Sequence, residues 1–114
     1  MAITSWRQQE SEKQMRARVA NEATAQRLAG KLAGESVSSF VCECGDRGCT
    51  CAIRLTLEQY AAVRASATQF VIARDHENPE SEWVIVESAR FAVIETLSPE
   101  ATKLARRTDP RWGP

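Results

Sequence analysis

A cysteine-rich stretch decides the fold: residues 40–51 read Phe-Val-Cys-Glu-Cys-Gly-Asp-Arg-Gly-Cys-Thr-Cys and hold all four cysteines of the 114-residue chain. Glycines and an aspartate separate its two Cys-x-Cys pairs, which predicts two short strands around a tight turn. Residues i and i+2 of an extended strand point to the same face. We therefore expect Cys42 and Cys44 to share one side of a hairpin, with Cys49 and Cys51 returning opposite them.

The clustered thiols have several candidate uses. The first ten residues show neither an apolar core nor a cleavage signal, so we expect a cytoplasmic protein in a reducing compartment. Clustered cysteines in such a compartment are more often metal ligands than disulfides. The spacing matches neither common ferredoxin pattern, which disfavours an iron–sulfur cluster, while a redox switch stays open. Three or four thiolates at a turn favour a structural zinc ion, Zn²⁺.

The fourth ligand is a choice between two residues. Cys51 is closest in sequence and would complete an all-cysteine set. His76 is the single histidine of the chain and lies in a polar segment, where a solvated side chain is the ordinary outcome. However, the chain is predicted to leave the hairpin, form one helix and return by a strand over residues 70–73. His76 follows that strand directly and can return to the hairpin.

The residues around the cysteines carry a family resemblance. The matching segments are residues 40–46, 48–50, 53–60, 62–64 and 70–73, followed by the pair His76-Glu77. Together they resemble a group of small actinobacterial zinc-binding proteins without an established activity, over roughly residues 40–95. The family pattern has three cysteines and a histidine before Glu. The resemblance therefore implies Cys42, Cys44, Cys49 and His76 as the ligands and leaves Cys51 as a spare or competing thiol.

The composition is that of a soluble globular chain of one domain. Fifteen basic side chains cancel fifteen acidic ones, so no global field draws the chain to nucleic acid or to an anionic membrane. No apolar run approaches the roughly 20 residues of a transmembrane helix, and we expect no membrane contact. Three Phe and one Tyr are few for a core, so a metal staple would help the chain to fold.

Residues 5–33 are predicted to be helical, because strong helix formers dominate them. Met15 and Val19 lie on one face, whereas Leu28 and Leu32 lie about half a turn away. Either the helix breaks near residues 21–24, or one long helix makes two contacts. The ordinary interpretation is a solvated helix that packs by one end. The functional one is an arm whose apolar residues Met15, Val19, Leu28 and Leu32 bind a protein partner or a second copy.

The remaining elements complete an α+β fold. Thr56 and Gln59 form a capping box for a helix over about residues 57–65. Strands are predicted at 70–73, 83–87 and 91–95, and a helix capped by Ser98 at 99–107. We expect a small antiparallel sheet with one packed helix, a zinc hairpin, and helical arms at both ends. The predicted division is an N-terminal arm (1–36), a zinc-stapled domain (37–97), and a short helix with a loose tail (98–114).

The sequence favours a non-enzymatic role. Three thiolates make zinc a poor Lewis acid, and no carboxylate has the spacing of a general base. We expect Glu43 and Asp46 to be solvated turn residues, and we see no small-molecule substrate. The preferred function is interaction or regulation through the helical arm. The alternative is a transcription-associated, nucleic-acid-binding protein that uses basic residues of the terminal helices, with Trp112 stacking on a base. These residues are Arg7, Lys13, Arg16, Arg18, Arg27, Lys31, Lys103, Arg106, Arg107 and Arg111.

Overall fold

The computed structural model describes residues 6–31 and 36–111. Its helices and strands alternate irregularly along the chain, and the strands pair antiparallel, which confirms the predicted α+β class. In chain order the elements are α1 (Trp6–Leu28), β1 (Val37–Val41), β2 (Ala52–Thr56), α2 (Leu57–Val63), β3 (Gln69–Ile72), β4 (Glu82–Glu87), β5 (Ala92–Thr96) and α3 (Pro99–Arg107).

The strands form two small antiparallel sheets. The first pairs β1 with β2, and the second has the order β3-β5-β4, with a register shift between Val84 and Val86. The cysteine loop, residues 42–51, connects β1 to β2. It also touches the second sheet, because the backbone N–H of Glu43 donates to the carbonyl of Val71 in β3 at 2.8 Å. This loop therefore lies between the two sheets and is held by both.

The two short helices begin as the sequence predicts. The Thr56 side chain accepts from the Gln59 backbone N–H at 3.0 Å, and the Gln59 side chain accepts from the Thr56 N–H at 2.9 Å. This is the predicted capping box. Helix α3 starts at Pro99, and the Ser98 hydroxyl accepts from the Ala101 N–H at 3.0 Å. Both N-termini are thus fixed by local sequence.

A single hydrophobic cluster joins all three predicted segments of the chain. It contains the stacked pair Phe40 and Tyr60, whose ring centroids lie 4.8 Å apart. Met15 from α1 and Ala105 from α3 belong to the same cluster as the strands of both sheets. The terminal helices α1 and α3 are therefore part of the hydrophobic core.

Helix α1 is continuous and packs by a polar face. It ends at Leu28, earlier than predicted, and Gly30 follows it with a φ of 78°, a left-handed conformation that suits glycine. Its buried residues include four polar ones. Hydrophobic periodicity cannot detect such a face, because these side chains are buried through hydrogen bonds and ion pairs. They are Gln14, Arg18, Asn21 and Glu22.

The predicted partner-binding residues of α1 separate into different environments. Met15 is buried in the protein's own core, which corrects its assignment to a partner surface. Val19 is 54% exposed and Leu28 is half-buried. Leu32 lies outside the described residues. The predicted two apolar faces are thus replaced by one inward, largely polar face and one exposed face that carries Val19.

The segment after α3 is not the predicted loose tail, as far as residue 111. Asp109 is buried and accepts a hydrogen bond from Arg64, which follows α2. Arg111 donates to Glu22 of α1 at 2.7 Å. These contacts fasten the chain end to α1 and α2. Trp112, which the sequence offered as a base-stacking residue, lies outside the described residues.

Candidate metal centre

Strand ends place the cysteines and the histidine at the same point. Cys42 and Cys44 directly follow β1, and Cys49 lies shortly before β2. The N–H of Cys42 donates to the carbonyl of Cys51 at 3.0 Å, so the hairpin pairing continues one step beyond the strands. His76 follows β3, in a turn where its N–H donates to the carbonyl of Ala73 at 3.2 Å. The ends of strands from both sheets therefore lie at one site.

Four ligand atoms converge there with the spacing of a metal site. The ligating atoms of Cys42, Cys44, Cys49 and His76 all lie within 4.8 Å of one another. His76 Nδ1 is 3.7 Å from Cys42 Sγ and 3.5 Å from Cys49 Sγ. Tetrahedral zinc, with Zn–S of about 2.3 Å and Zn–N of about 2.0–2.1 Å, would separate sulfur from nitrogen by about 3.6 Å. The donor set and its spacing fit a tetrahedral ion.

Cys51 does not join this group. Its side chain is exposed, whereas Cys42 and Cys44 are buried and Cys49 is half-buried. The group that the structure assembles is the one implied by the family resemblance, and the all-cysteine alternative is not assembled. Three sulfurs and one nitrogen would complete the tetrahedron of a structural metal site. Such a closed site can stabilise a fold.

The protein environment favours a thiolate at the centre. A hydrogen bond from the Cys42 thiol lowers the pKa of Cys44 to about 4, although burial acts in the opposite direction. The same hydrogen bond, together with burial, raises the pKa of Cys42. The Ala73 N–H donates to Cys42 Sγ at 3.1 Å, and Lys13 Nζ lies 3.8 Å from Cys44 Sγ. Since metals bind thiolates, these donors prepare the site for a cation.

Glu43 lies between two of the candidate ligands and is fully buried, so the prediction of a solvated turn residue is wrong. Its carboxylate accepts from Asn21 Nδ2 at 2.9 Å, the Tyr60 hydroxyl at 2.8 Å and the Val71 N–H at 3.0 Å. Burial raises the pKa of Glu43, while these hydrogen bonds and the charge of Arg64 lower it. Asp46 is exposed and caps the turn by accepting from the Gly48 N–H at 2.9 Å, as a turn residue does.

A second buried polar group links α1 to the rest of the chain. Arg64 donates to Glu22 at 2.9 Å and also pairs with Asp109. Arg18 donates to the carbonyls of Ala67 and Ala105, both at 2.7 Å, and stacks 5.0 Å from the Phe70 ring centroid. Sequence reasoning missed Glu22, Arg64 and Asp109. It named Arg18 only as a cation for nucleic-acid binding. Arg18 and Glu22 lie at core-facing positions of α1, a signal that is informative only once their partners are known.

A cavity of about 680 Å³ opens beside His76. Its walls come from α1, the cysteine loop, the segment between β3 and β4, the end of β5 and the start of α3. Glu82 lines it and accepts hydrogen bonds from Gln14 Nε2 at 3.0 Å and from the Asn78 N–H at 2.8 Å. Burial raises the pKa of Glu82, although these two hydrogen bonds lower it. Further acidic side chains line the cavity; they are Glu10, Asp46, Asp75 and Glu77.

Several basic residues of the nucleic-acid hypothesis are engaged inside the protein. Arg18 is buried, Lys13 donates to the cysteine loop, and Arg111 pairs with Glu22. Among the helix side chains that the structure describes, the exposed cations lie on two separate elements; they are Arg16 and Arg27 on α1 and Lys103, Arg106 and Arg107 on α3. The side chain of Arg7 lies outside that description.

In comparisons with known proteins, no family model, curated protein or solved structure matches this chain. The family resemblance of the sequence therefore stays a prediction. None of the described helices combines the length and the apolar character that a membrane span requires.

Proposed function

We propose that this protein is a small cytoplasmic zinc-binding protein in which the metal is structural and the chain acts, without catalysis, as an interaction or regulatory module. The observation that carries the proposal is the convergence of three cysteine sulfurs and one imidazole nitrogen within 4.8 Å. Everything else in the proposal depends on that group of atoms being a metal site.

Zinc is the metal that best suits this donor set. Thiolate and imidazole ligands in a tetrahedral arrangement favour zinc, whereas calcium and magnesium prefer oxygen. Once bound, zinc would cross-link the end of β1, the approach to β2 and the end of β3. Because a small chain has a modest core, such a cross-link contributes directly to folding free energy.

The non-enzymatic part of the proposal rests on coordination chemistry. Four protein ligands leave no position for water or substrate, and three thiolates reduce the Lewis acidity of the ion. The role that fits is mechanical: the metal fixes a surface on which something else docks.

The exposed face of α1 is the surface that we propose for a protein partner or for a second copy of the chain. Val19 is 54% exposed and has small exposed neighbours, Ala20 and Ala23. Arg16 and Arg27 border this apolar strip. The strip replaces Met15 of the sequence prediction, since Met15 is buried.

Two measurements test whether the site binds zinc. Elemental mass spectrometry gives the zinc content of the purified protein, and zinc affinity is compared between two matched variants. We expect about one zinc per chain. His76→Ala should weaken zinc binding, because it removes a ligand atom, whereas Cys51→Ala should not, because that thiol lies outside the cluster. If only Cys51→Ala weakens binding, the proposed ligand set is wrong.

The partner surface is tested with a change that leaves the core intact. Val19→Asp should abolish self-association in sedimentation and the recovery of a protein partner from the native host at high salt. Ala61→Asp, on the exposed side of α2, is the matched control. Recovery of nucleic acid that disappears as salt rises would favour the alternative function instead.

A further inference from the structure

Helix α1 supplies none of the four ligand atoms, yet it holds the loop that carries three of them. Lys13 Nζ donates to the carbonyl of Cys44 at 2.9 Å, and the same ammonium lies 3.8 Å from the Cys44 sulfur. Gln14 Nε2 donates to the carbonyl of Glu43 at 2.9 Å. Two consecutive residues of α1 thus bind two consecutive carbonyls of the cysteine loop.

Asn21 extends this contact by two turns of the helix. Its amide nitrogen donates to the Val41 carbonyl and to the Glu43 carboxylate, both at 2.9 Å. Its amide oxygen accepts from the Val41 N–H at 2.8 Å. Val41 is the last residue of β1, so Asn21 satisfies the backbone just where the strand ends and the ligands begin.

Close packing adds a third kind of contact. A Cβ atom on Gly45 would lie 2.8 Å from the Cβ of Glu10 and 3.2 Å from its carbonyl oxygen. The loop backbone therefore touches α1 at the residue that directly follows Cys44. Contacts at residues 41, 43, 44 and 45 leave little of this side of the loop independent of the helix.

We propose that Lys13, Gln14 and Asn21 are positioning residues of the metal site, so that metal binding and the docking of α1 are coupled. The inference rests on the proposed zinc binding and adds to it the regulation of the same site. The loop geometry that α1 recognises is the geometry in which the sulfurs converge. A metal that stabilises this geometry must also stabilise the docked helix, and the docked helix must raise the metal affinity by the same factor.

Lys13 has an additional electrostatic role. Three thiolates and a neutral imidazole around a divalent ion leave one net negative charge on the site. The ammonium beside Cys44 Sγ opposes that charge at short range. Groups around the ligands of a metal site typically change metal affinity by about tenfold to a hundredfold. Removal of the ammonium should therefore lower zinc affinity even where the fold is unchanged.

Hydrogen exchange of the native protein tests the coupling directly. With zinc, the amides of α1 over residues 14–25 should be protected; after chelation they should exchange much faster, ahead of the β3 and β5 amides. Unchanged protection of α1 in the metal-free protein would overturn the coupling. Absence of zinc binding to the native protein would overturn it too, and would also remove the proposed function.

Matched variants test the positioning roles through zinc affinity, measured by competition with a chelator. Lys13→Met should weaken zinc binding by about tenfold, and Lys13→Arg should restore most of it. Arg90→Met removes the same charge from an exposed position between β4 and β5 and should leave the zinc affinity unchanged. The melting of the metal-free protein should be the same for Lys13→Met and native protein, which a purely structural role would not give. Native zinc affinity in Lys13→Met would contradict the proposal while leaving the zinc site in place.

Discussion

The two Cys-x-Cys pairs have the same spacing and opposite environments. In the first pair, Cys42 and Cys44 are buried and the residue between them, Glu43, is fully buried. In the second, Cys49 is half-buried, while Thr50 and Cys51 are exposed. The first pair lies between α1 and β3, which supply hydrogen-bond donors to it. The second pair directly precedes β2 and is largely exposed to solvent.

The difference shows that neighbours, rather than spacing, decide which thiols converge. The first pair and the residue between them accept hydrogen bonds from Lys13 and Asn21 of α1 and from the Ala73 N–H just after β3. These contacts come from residues about 20 to 30 positions away in the sequence. A symmetrical sequence motif therefore becomes an asymmetric site.

The largest effect is expected where the pairs differ most, at their middle residues. Glu43→Ala should lower the free energy of unfolding by about 3–5 kcal/mol, because it leaves buried donors of Asn21, Tyr60 and Val71 without an acceptor. Thr50→Ala should change it by no more than about 0.5 kcal/mol. Urea unfolding of the zinc-bound proteins measures both values.

Glu43→Gln serves as a second variant in case the alanine protein does not fold. The amide keeps one acceptor but introduces a donor that faces other donors, so an intermediate loss is expected. Equal stability of the Glu43→Ala and Thr50→Ala proteins would show that the two pairs are energetically alike.

A smaller effect is expected at the two glycines between the pairs. Gly45→Ala should cost about 1–3 kcal/mol, because its new methyl group would overlap Glu10 of α1. Gly48→Ala should be nearly neutral, since its Cβ would meet the Asp46 side chain at an ordinary 3.5 Å. Thermal unfolding compares them. If Gly45→Ala leaves the stability unchanged, α1 does not pack closely against the loop in solution.

The smallest effect is expected at Cys51. Alkylation of the zinc-bound protein should modify this exposed thiol alone among the four. The modified protein should keep its zinc, and its free energy of unfolding should change by no more than about 0.5 kcal/mol. Intact mass spectrometry counts the labels. Labelling of several thiols would mean that the metal does not protect the three proposed ligand sulfurs. Release of zinc on labelling of Cys51 would place Cys51 inside the site.

Local sequence rules predicted the parts of the fold that local contacts determine. The capping box at Thr56 and the proline start of α3 need only neighbouring residues, and both are present. The approach of His76 to the cysteines followed from chain topology, because β3 returns to the hairpin. Here the resemblance and the structure select the same four residues.

The remaining features depend on partners distant in sequence. Glu43 looked like a turn residue because nothing nearby shows that Asn21 and Tyr60 converge on it. The inward face of α1 escaped detection because hydrophobic periodicity registers apolar residues, whereas this face is buried through Arg18, Asn21 and Glu22. Buried charges become predictable only when both members of each pair are placed.

The central claim is that three sulfurs and one imidazole nitrogen bind a metal at the end of the first Cys-x-Cys pair. X-ray absorption at the zinc edge of the purified protein tests it most directly. The account predicts three sulfur neighbours at about 2.3 Å and one nitrogen at about 2.0–2.1 Å. The nitrogen contribution should disappear in His76→Ala. Four sulfur neighbours in the native protein, or no bound zinc, would contradict the account.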